Sequence, residues 1–263
     1  MTAKPNQISP GQVPVESSPQ GEDSGLVYIS TSQTESLRWV RARKKIIESA
    51  ALLQSKNQNK KHRYRVAMIT LTYAPYEDWE PKDITRYIDV VSQYLRRRGI
   101  QPQYVWKYEL TRNLRPHYHV LWYLPRGITL PKADRRGHWK KGLTRSEWAR
   151  KPVSYIAKYC AKTARYQPHL GARLYAVGGL NFKEKCLVNW HAAPMWLKKF
   201  IGSADGVIRH KSGWWSNATT GWGYRTPWVS DGYCPEGLKL RYIGFDMDSI
   251  YLPATGSPPP WTA

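Results

Sequence analysis

Large apolar side chains are nearly absent from residues 1–26, where Pro, Ser, Gln and Gly dominate, and such a stretch has too little to bury to order itself. A disordered tail is expected there. From Thr34 to about Lys56 the pattern becomes helical, with Leu37, Val40, Ile47, Leu52 and Leu53 as apolar positions and Arg38, Arg41, Arg43, Lys44 and Lys45 as a basic cluster. Residues 56–65 form a polar, basic connector. Val66–Tyr73 (VAMITLTY) reads as a buried strand closed by Ala74-Pro75. Pro81 and Asp83 open a helix running to about Arg98, with Ile84, Tyr87, Ile88, Val91 and Leu95 at helical spacing and Gly99 as its stop. Gln103–Thr111 and His117–Leu124 read as strands, and the short polar link Arg112–Pro116 makes them a hairpin. Residues 125–143 are a basic loop, and Ser154–Arg165, just after Pro152, is a helix.

The order strand, helix, strand, strand, loop, helix predicts an α+β fold: a central antiparallel sheet with helices packed on it. The segments divide as a tail (1–26), a basic helical stretch (27–64), a compact catalytic domain (65–205) and a Trp/Gly-rich extension (206–263) without clear periodicity. There is no internal repeat. The tryptophans Trp214, Trp215, Trp222 and Trp228 suit either a stacking surface or a small core of their own.

Charge narrows the choice of partner. Lys and Arg number 41 against 19 Asp and Glu, a formal net charge of +22, which steers in polyanions such as DNA, RNA or an anionic membrane. The 13 Trp and 18 Tyr against 3 Phe suit stacking on unpaired bases, or an ordinary core that uses Trp. Cys160, Cys186 and Cys234 lie far apart without a CxxC pair, which argues against a disulfide framework or zinc finger and for a reducing cytoplasm. No apolar run approaches the roughly 18 residues of a membrane span, and no secretory leader precedes the chain.

Candidate chemistry lies in two places. His117 and His119 are two apart in a predicted strand, so both imidazoles project from one face. A hairpin turning near Asn113 sets Glu109 opposite His117, giving two imidazoles and a carboxylate with open positions for substrate. The alternative for Glu109 is a surface pair with Arg112 or Arg115. Farther along, Tyr155 and Tyr159 share a helix face, and each is followed three residues later by a lysine, Lys158 and Lys162. An ammonium group near a phenol favours phenolate and can hold a phosphate oxygen. A metal that withdraws charge from a phosphodiester, beside a phenol that attacks it, would make a phosphotyrosine and a free sugar hydroxyl.

These residues resemble the HUH endonuclease superfamily, specifically its rolling-circle replication initiators. Ile69-Thr70-Leu71-Thr72 is similar to that family's first motif. Pro116-His117-Tyr118-His119-Val120-Leu121-Trp122 is similar to the second, and Tyr155-Ile-Ala-Lys-Tyr159-Cys-Ala-Lys162 to the two-tyrosine form of the third. Over about residues 65–165 the resemblance implies a five-stranded antiparallel sheet, Mg²⁺ or Mn²⁺ held by Glu109, His117 and His119, and a 5′-phosphotyrosyl link made by Tyr155 or Tyr159. It implies Lys162 as the lysine that positions substrate or metal; Lys158 follows from the tandem spacing. Arg41, Lys44, Lys45, Arg112 and Arg115 are the expected DNA contacts.

The implied partners are single-stranded origin DNA, a host helicase (no G-x-x-x-x-G-K-[ST] sequence is present) and a host polymerase, in a bacterial cytoplasm, with no membrane and no small-molecule ligand. The tyrosines follow the histidines, unlike the usual order in conjugative relaxases. A transposase with the same local chemistry and a non-catalytic nucleic-acid-binding protein are the rival readings.

Overall fold

The computed structural model describes residues 26–29, 31–58, 64–111, 113–162, 169, 171–210, 213–234, 237–242 and 251–252. The tail expected over 1–26 lies outside them except for Leu26, as do Arg112 and the expected helix end at 163–165. In chain order the elements are β1 (Leu26–Ile29), α1 (Thr31–Gln58), β2 (Tyr64–Thr72), α2 (Asp83–Arg96), β3 (Tyr104–Leu110), β4 (Pro116–Pro125), β5 (Thr144–Trp148), α3 (Pro152–Lys162), β6 (Tyr175–Gly178), α4 (Phe182–His191), α5 (Met195–Lys198), β7 (Val207–Arg209), β8 (Trp215–Asn217), β9 (Gly223–Tyr224), β10 (Trp228–Cys234), β11 (Gly237–Tyr242) and β12 (Tyr251–Leu252).

The centre is a five-stranded sheet in the order β5-β2-β4-β3-β6, with every neighbour antiparallel. Its middle strand, β4, is buried along nearly its whole length, so both of its faces need cover. α2 covers one face. Its Ile84, Tyr87, Ile88, Val91 and Leu95 recur at helical spacing and pack with Ile69, Leu71, Trp106, Tyr108, Tyr118, Val120 and Trp122. The other face lies under α1, α3 and α4, where Ile46, Ala50 and Leu53 meet Met68, Val105, Leu121, Tyr123, Ile156, Cys160 and Val188.

The inner stripe of α1 differs from the one expected. Ala42, Ile46, Ser49, Ala50 and Leu53 are buried, whereas Val40 is exposed and Ile47 half-buried. Small residues at Ala42, Ser49 and Ala50 let the helix approach the sheet closely, and an apolar count passes over them. β5, β6 and α4 were not anticipated. β5 (TRSEW) is an edge strand with only one neighbour, and its mostly polar, solvent-facing side chains erase the alternation that marks a strand.

The tract beyond residue 205 is folded where it is described. β7, β8, β9 and β12 form a second sheet, over which Ala193, Leu197, Ile201, Val207, Trp215 and Tyr224 make a small core. A third sheet has the order β1-β11-β10 and pairs Leu26–Ile29 with residues 238–241.

Candidate active site

Alternation across the strands decides what this site contains. One face of β4 presents His117, His119, Leu121 and Tyr123. The register brings Glu109, Lys107 and Val105 of β3 to one side of them and Thr72, Thr70 and Met68 of β2 to the other. Half of the face is apolar and buried under α1. The other half is polar and lies under α3.

The hairpin expected between the two strands is present, and its register sets Glu109 directly opposite His117. Thr111 and Arg115 close it, with the Arg115 amide donating to Thr111 Oγ1 at 3.1 Å and the Thr111 amide to the Arg115 carbonyl at 2.9 Å. Arg115 itself turns away from Glu109. Its guanidinium Nη1 donates to the Ala74 carbonyl at 2.8 Å, so here it clasps the end of β2.

Glu109 pairs instead with His119, Oε2 to Nε2 at 2.7 Å, and both residues are buried. His119 Nδ1 lies 3.2 Å from Thr70 Oγ1, in the Thr-Leu-Thr segment. Burial holds the His119 imidazole below its ordinary range, against the opposing pull of Glu109. A neutral ring with Nε2–H toward the carboxylate leaves Nδ1 to accept from the Thr70 hydroxyl. His117 sets Nδ1 against the Pro116 carbonyl at 2.9 Å, which turns Nε2 to the role of ligand.

Among the described residues, no three His, Cys, Asp or Glu side chains form a ready-made metal cage. The donor set nevertheless fits a divalent ion in kind: two imidazoles, one kept neutral by burial, and a carboxylate. Ligands about 2.1 Å from a six-coordinate ion lie roughly 3 Å from one another. The 2.7 Å between Glu109 and His119 is close to that spacing.

The tyrosines stand against this patch. The ring of Tyr159 stacks on that of His119, with centroids 3.8 Å apart and planes 28° from parallel. Tyr159 Oη donates to Tyr155 Oη at 3.0 Å, and Tyr155 Oη donates to Glu147 Oε1 at 2.7 Å. The hydroxyls thus form a chain that ends on a carboxylate, which in turn meets Arg145 at 3.2 Å.

The expected activation of the phenols by lysine is not what is found at Tyr155. Burial, then its hydrogen bonds with Tyr159 and Glu147, push its pKa up. Lys158 is exposed and is not among the groups acting on Tyr155; the side chain of Lys162 lies outside the described structure. At neutral pH Tyr155 is a phenol, so its proton must leave as it attacks, and Glu147 is the acceptor in place.

Two residues here were missed from the sequence. Glu147 sits on the unanticipated edge strand. Lys107 is almost wholly buried directly across from His119, and its Nζ donates to the Tyr159 carbonyl, tying α3 to the sheet. The spacing of Lys107 from Glu109, two apart in a strand, was available as a signal; the neighbours of Glu147 offered none.

The remaining expected contacts lie elsewhere. Arg41 and Lys45 line a cavity beside α1, and Lys44 is exposed on the same helix. Cys160 is buried, and burial pushes its thiol up to about 11, which leaves it unreactive. No described helix is long and apolar enough to cross a membrane.

Residues 66–164 match the model of a protein family described as replication-associated protein, ORF2 type. No curated protein and no solved structure matches the chain. The matched segment begins in β2 and ends just after α3. It therefore contains Thr70, Lys107, Glu109, His117, His119, Glu147, Tyr155 and Tyr159, and leaves out α1, α4 and the two smaller sheets.

Proposed function

We propose that this chain, which shares the segment 66–164 with replication-associated proteins, initiates rolling-circle replication by nicking single-stranded origin DNA with Tyr155 or Tyr159. The observation that carries this reading is the stack of Tyr159 on His119, with the Tyr155 hydroxyl 3.0 Å from that of Tyr159. Imidazole, carboxylate and two phenols then share one pocket of the fold, small enough for one phosphate to reach them all.

In the reaction, Tyr155 Oη attacks the phosphorus as its proton passes to Glu147 Oε1. The bond from phosphorus to the 3′ oxygen breaks, and that oxygen takes a proton from water. The products are a 5′-phosphotyrosine and a free 3′-hydroxyl, which primes synthesis. Tyr159 reaches the same carboxylate through Tyr155, so it is the second nucleophile, and a later 3′-hydroxyl attacking the phosphotyrosine rejoins the strand. Glu109, His117 and His119 would hold Mg²⁺ or Mn²⁺, whose positive charge would offset the charge on the non-bridging oxygens. Lys107 positions Tyr159 by holding its carbonyl, and Lys158 and Lys162 are assigned to phosphate oxygens. A host helicase and polymerase in the bacterial cytoplasm would supply unwinding and synthesis.

The test is incubation with single-stranded DNA of the chain's own replicon and Mn²⁺, followed by a denaturing gel. A covalent protein–DNA adduct that disappears with chelator and in the Tyr155→Phe/Tyr159→Phe variant is expected. Cleavage without an adduct, or an adduct surviving in the double variant, overturns the reading.

A further inference from the structure

A second feature lies outside the family-matched segment. A cavity of about 670 Å³ opens where α1, β6, α4 and β7 meet. Arg41, Lys45, Arg173, Lys185 and Arg209 line it, and no carboxylate is among its described lining residues. Among the described residues none of these five cations forms an ion pair. The arginines and Lys185 are exposed around the rim, while Lys45 is half-buried and donates to Asn189 Oδ1 at 2.6 Å. An amide oxygen orients an ammonium group without neutralising it. The Arg209 guanidinium leans on the Trp215 ring, 5.6 Å from its centroid, which fixes it at the edge.

Like charges gathered in a partly dry space repel one another. Burial, then Arg209 and Arg41, bring Lys45 down to about 8, and Arg41 is lowered by burial and Arg209. An anion placed among them removes that repulsion. The volume is that of a ligand-sized cleft rather than a single-ion site. Position supplies the rest: Tyr175, on the cavity wall, pairs with Lys107, and Lys107 pairs with His119. Two strand spacings of about 4.8 Å separate the cavity wall from the imidazole, roughly 10 Å in all.

We propose that this cavity is a second phosphate-binding site, which grips the backbone of the DNA strand a few nucleotides from the phosphate under attack. It rests on the DNA-nicking reading for its substrate and not for its chemistry. Elements outside the matched segment build it, so it is an addition of this chain to the shared core. Its work is to hold the flank of the strand in register while the phenols act.

The experiment uses the full chain in the Tyr155→Phe/Tyr159→Phe background, so that binding is read without cleavage. Binding of a fluorescent single-stranded oligonucleotide is followed against salt, with Lys45→Gln/Arg209→Ala added. A loss of about tenfold or more near 0.1 M salt is expected, with a salt slope shallower by roughly 1 to 1.5. Arg97→Ala/Arg98→Ala removes the same charge at the exposed end of α2, on the opposite face, and serves as control. Equal losses in both variants mean a general field and overturn the proposal.

A second measurement needs no substitution. Acetylation of Lys45 and Lys185 in the unaltered protein, read by mass spectrometry, is expected to fall when DNA is added. Unchanged modification overturns the site. Protection by pyrophosphate but not by DNA makes it a site for free phosphates and overturns the assignment to backbone. Failure of the adduct test alone leaves these binding results to stand or fall on their own.

Discussion

The imidazole of His119 lies flat against the phenol ring of Tyr159, 3.8 Å between centroids, while its Nε2 holds Glu109 at 2.7 Å. One side chain therefore couples a candidate metal ligand to a candidate nucleophile. Removing the hydroxyl and removing the ring are different perturbations. Tyr159→Phe keeps the stack and is expected to change stability by less than about 1 kcal/mol, whereas Tyr159→Ala is expected to cost about 1–3 kcal/mol. Urea melts of the two variants decide it: equal stabilities mean that the stack contributes nothing to holding α3 on the sheet.

Glu147 is the end of the hydroxyl chain, and its role as proton acceptor has a kinetic signature. Glu147→Gln keeps the shape and loses the basicity, and adduct formation is expected to slow by about 10²- to 10⁴-fold with DNA affinity unchanged. Arg145→Ala, at the exposed side of the same carboxylate, is expected to change the rate little. A Glu147→Gln variant that forms adduct at the normal rate removes this carboxylate from the mechanism.

Lys107 presents a contrast between stability and rate. A buried ammonium is costly to desolvate, so Lys107→Met is expected to alter stability by no more than about 1 kcal/mol, the lost hydrogen bond to the Tyr159 carbonyl offsetting the relief. Misplacement of the phenols, however, is expected to slow adduct formation by about 10²-fold. Faster amide exchange at the end of α3, with an unchanged melting temperature, is the structural readout. A variant that is fully active shows that the lysine is only filling space.

Lys45 makes stability depend on pH in a direction that can be worked out. Its folded pKa, about 8, lies below that of the unfolded chain, so the unfolded state binds the extra proton between about 8 and 10. Stability therefore rises with pH across that window, and the penalty is fully present below it. The gain attributable to this residue is on the order of 3 kcal/mol at most. The groups that face it are Arg41 and Arg209, with Asn189 as its hydrogen-bond partner. Lys45→Met is expected to flatten the rise, measured as the difference in unfolding free energy between the two proteins at about pH 7.5 and about pH 10. Parallel curves contradict it.

How much of this was legible depends on what each residue signals locally. The hairpin of β3 and β4 was readable because a short polar link separates two β-rich runs, and pairing Glu109 with His117 follows from counting back from the turn. The apolar face of α2 was equally plain. β5 was not, because an edge strand with polar side chains lacks the alternation that burial imposes, and Glu147 was lost with it. The state of Tyr155 was misjudged for another reason. Helical spacing places Lys158 one turn away along the chain, but charge acts through space, and the groups that reach the phenol come from β5 and from Tyr159. The cavity beside α1 draws on residues from 41 to 209 and exists only once the chain is folded.

The antiparallel pairing of Leu26–Ile29 with residues 238–241 bears on how the protein can be shortened. A version trimmed to begin at α1 would strip one flank from β11 and leave its amides and carbonyls facing water. An uncovered strand flank of that kind recruits other chains. Self-association of such a shortened protein would then report on the missing N-terminal strand rather than on any natural assembly.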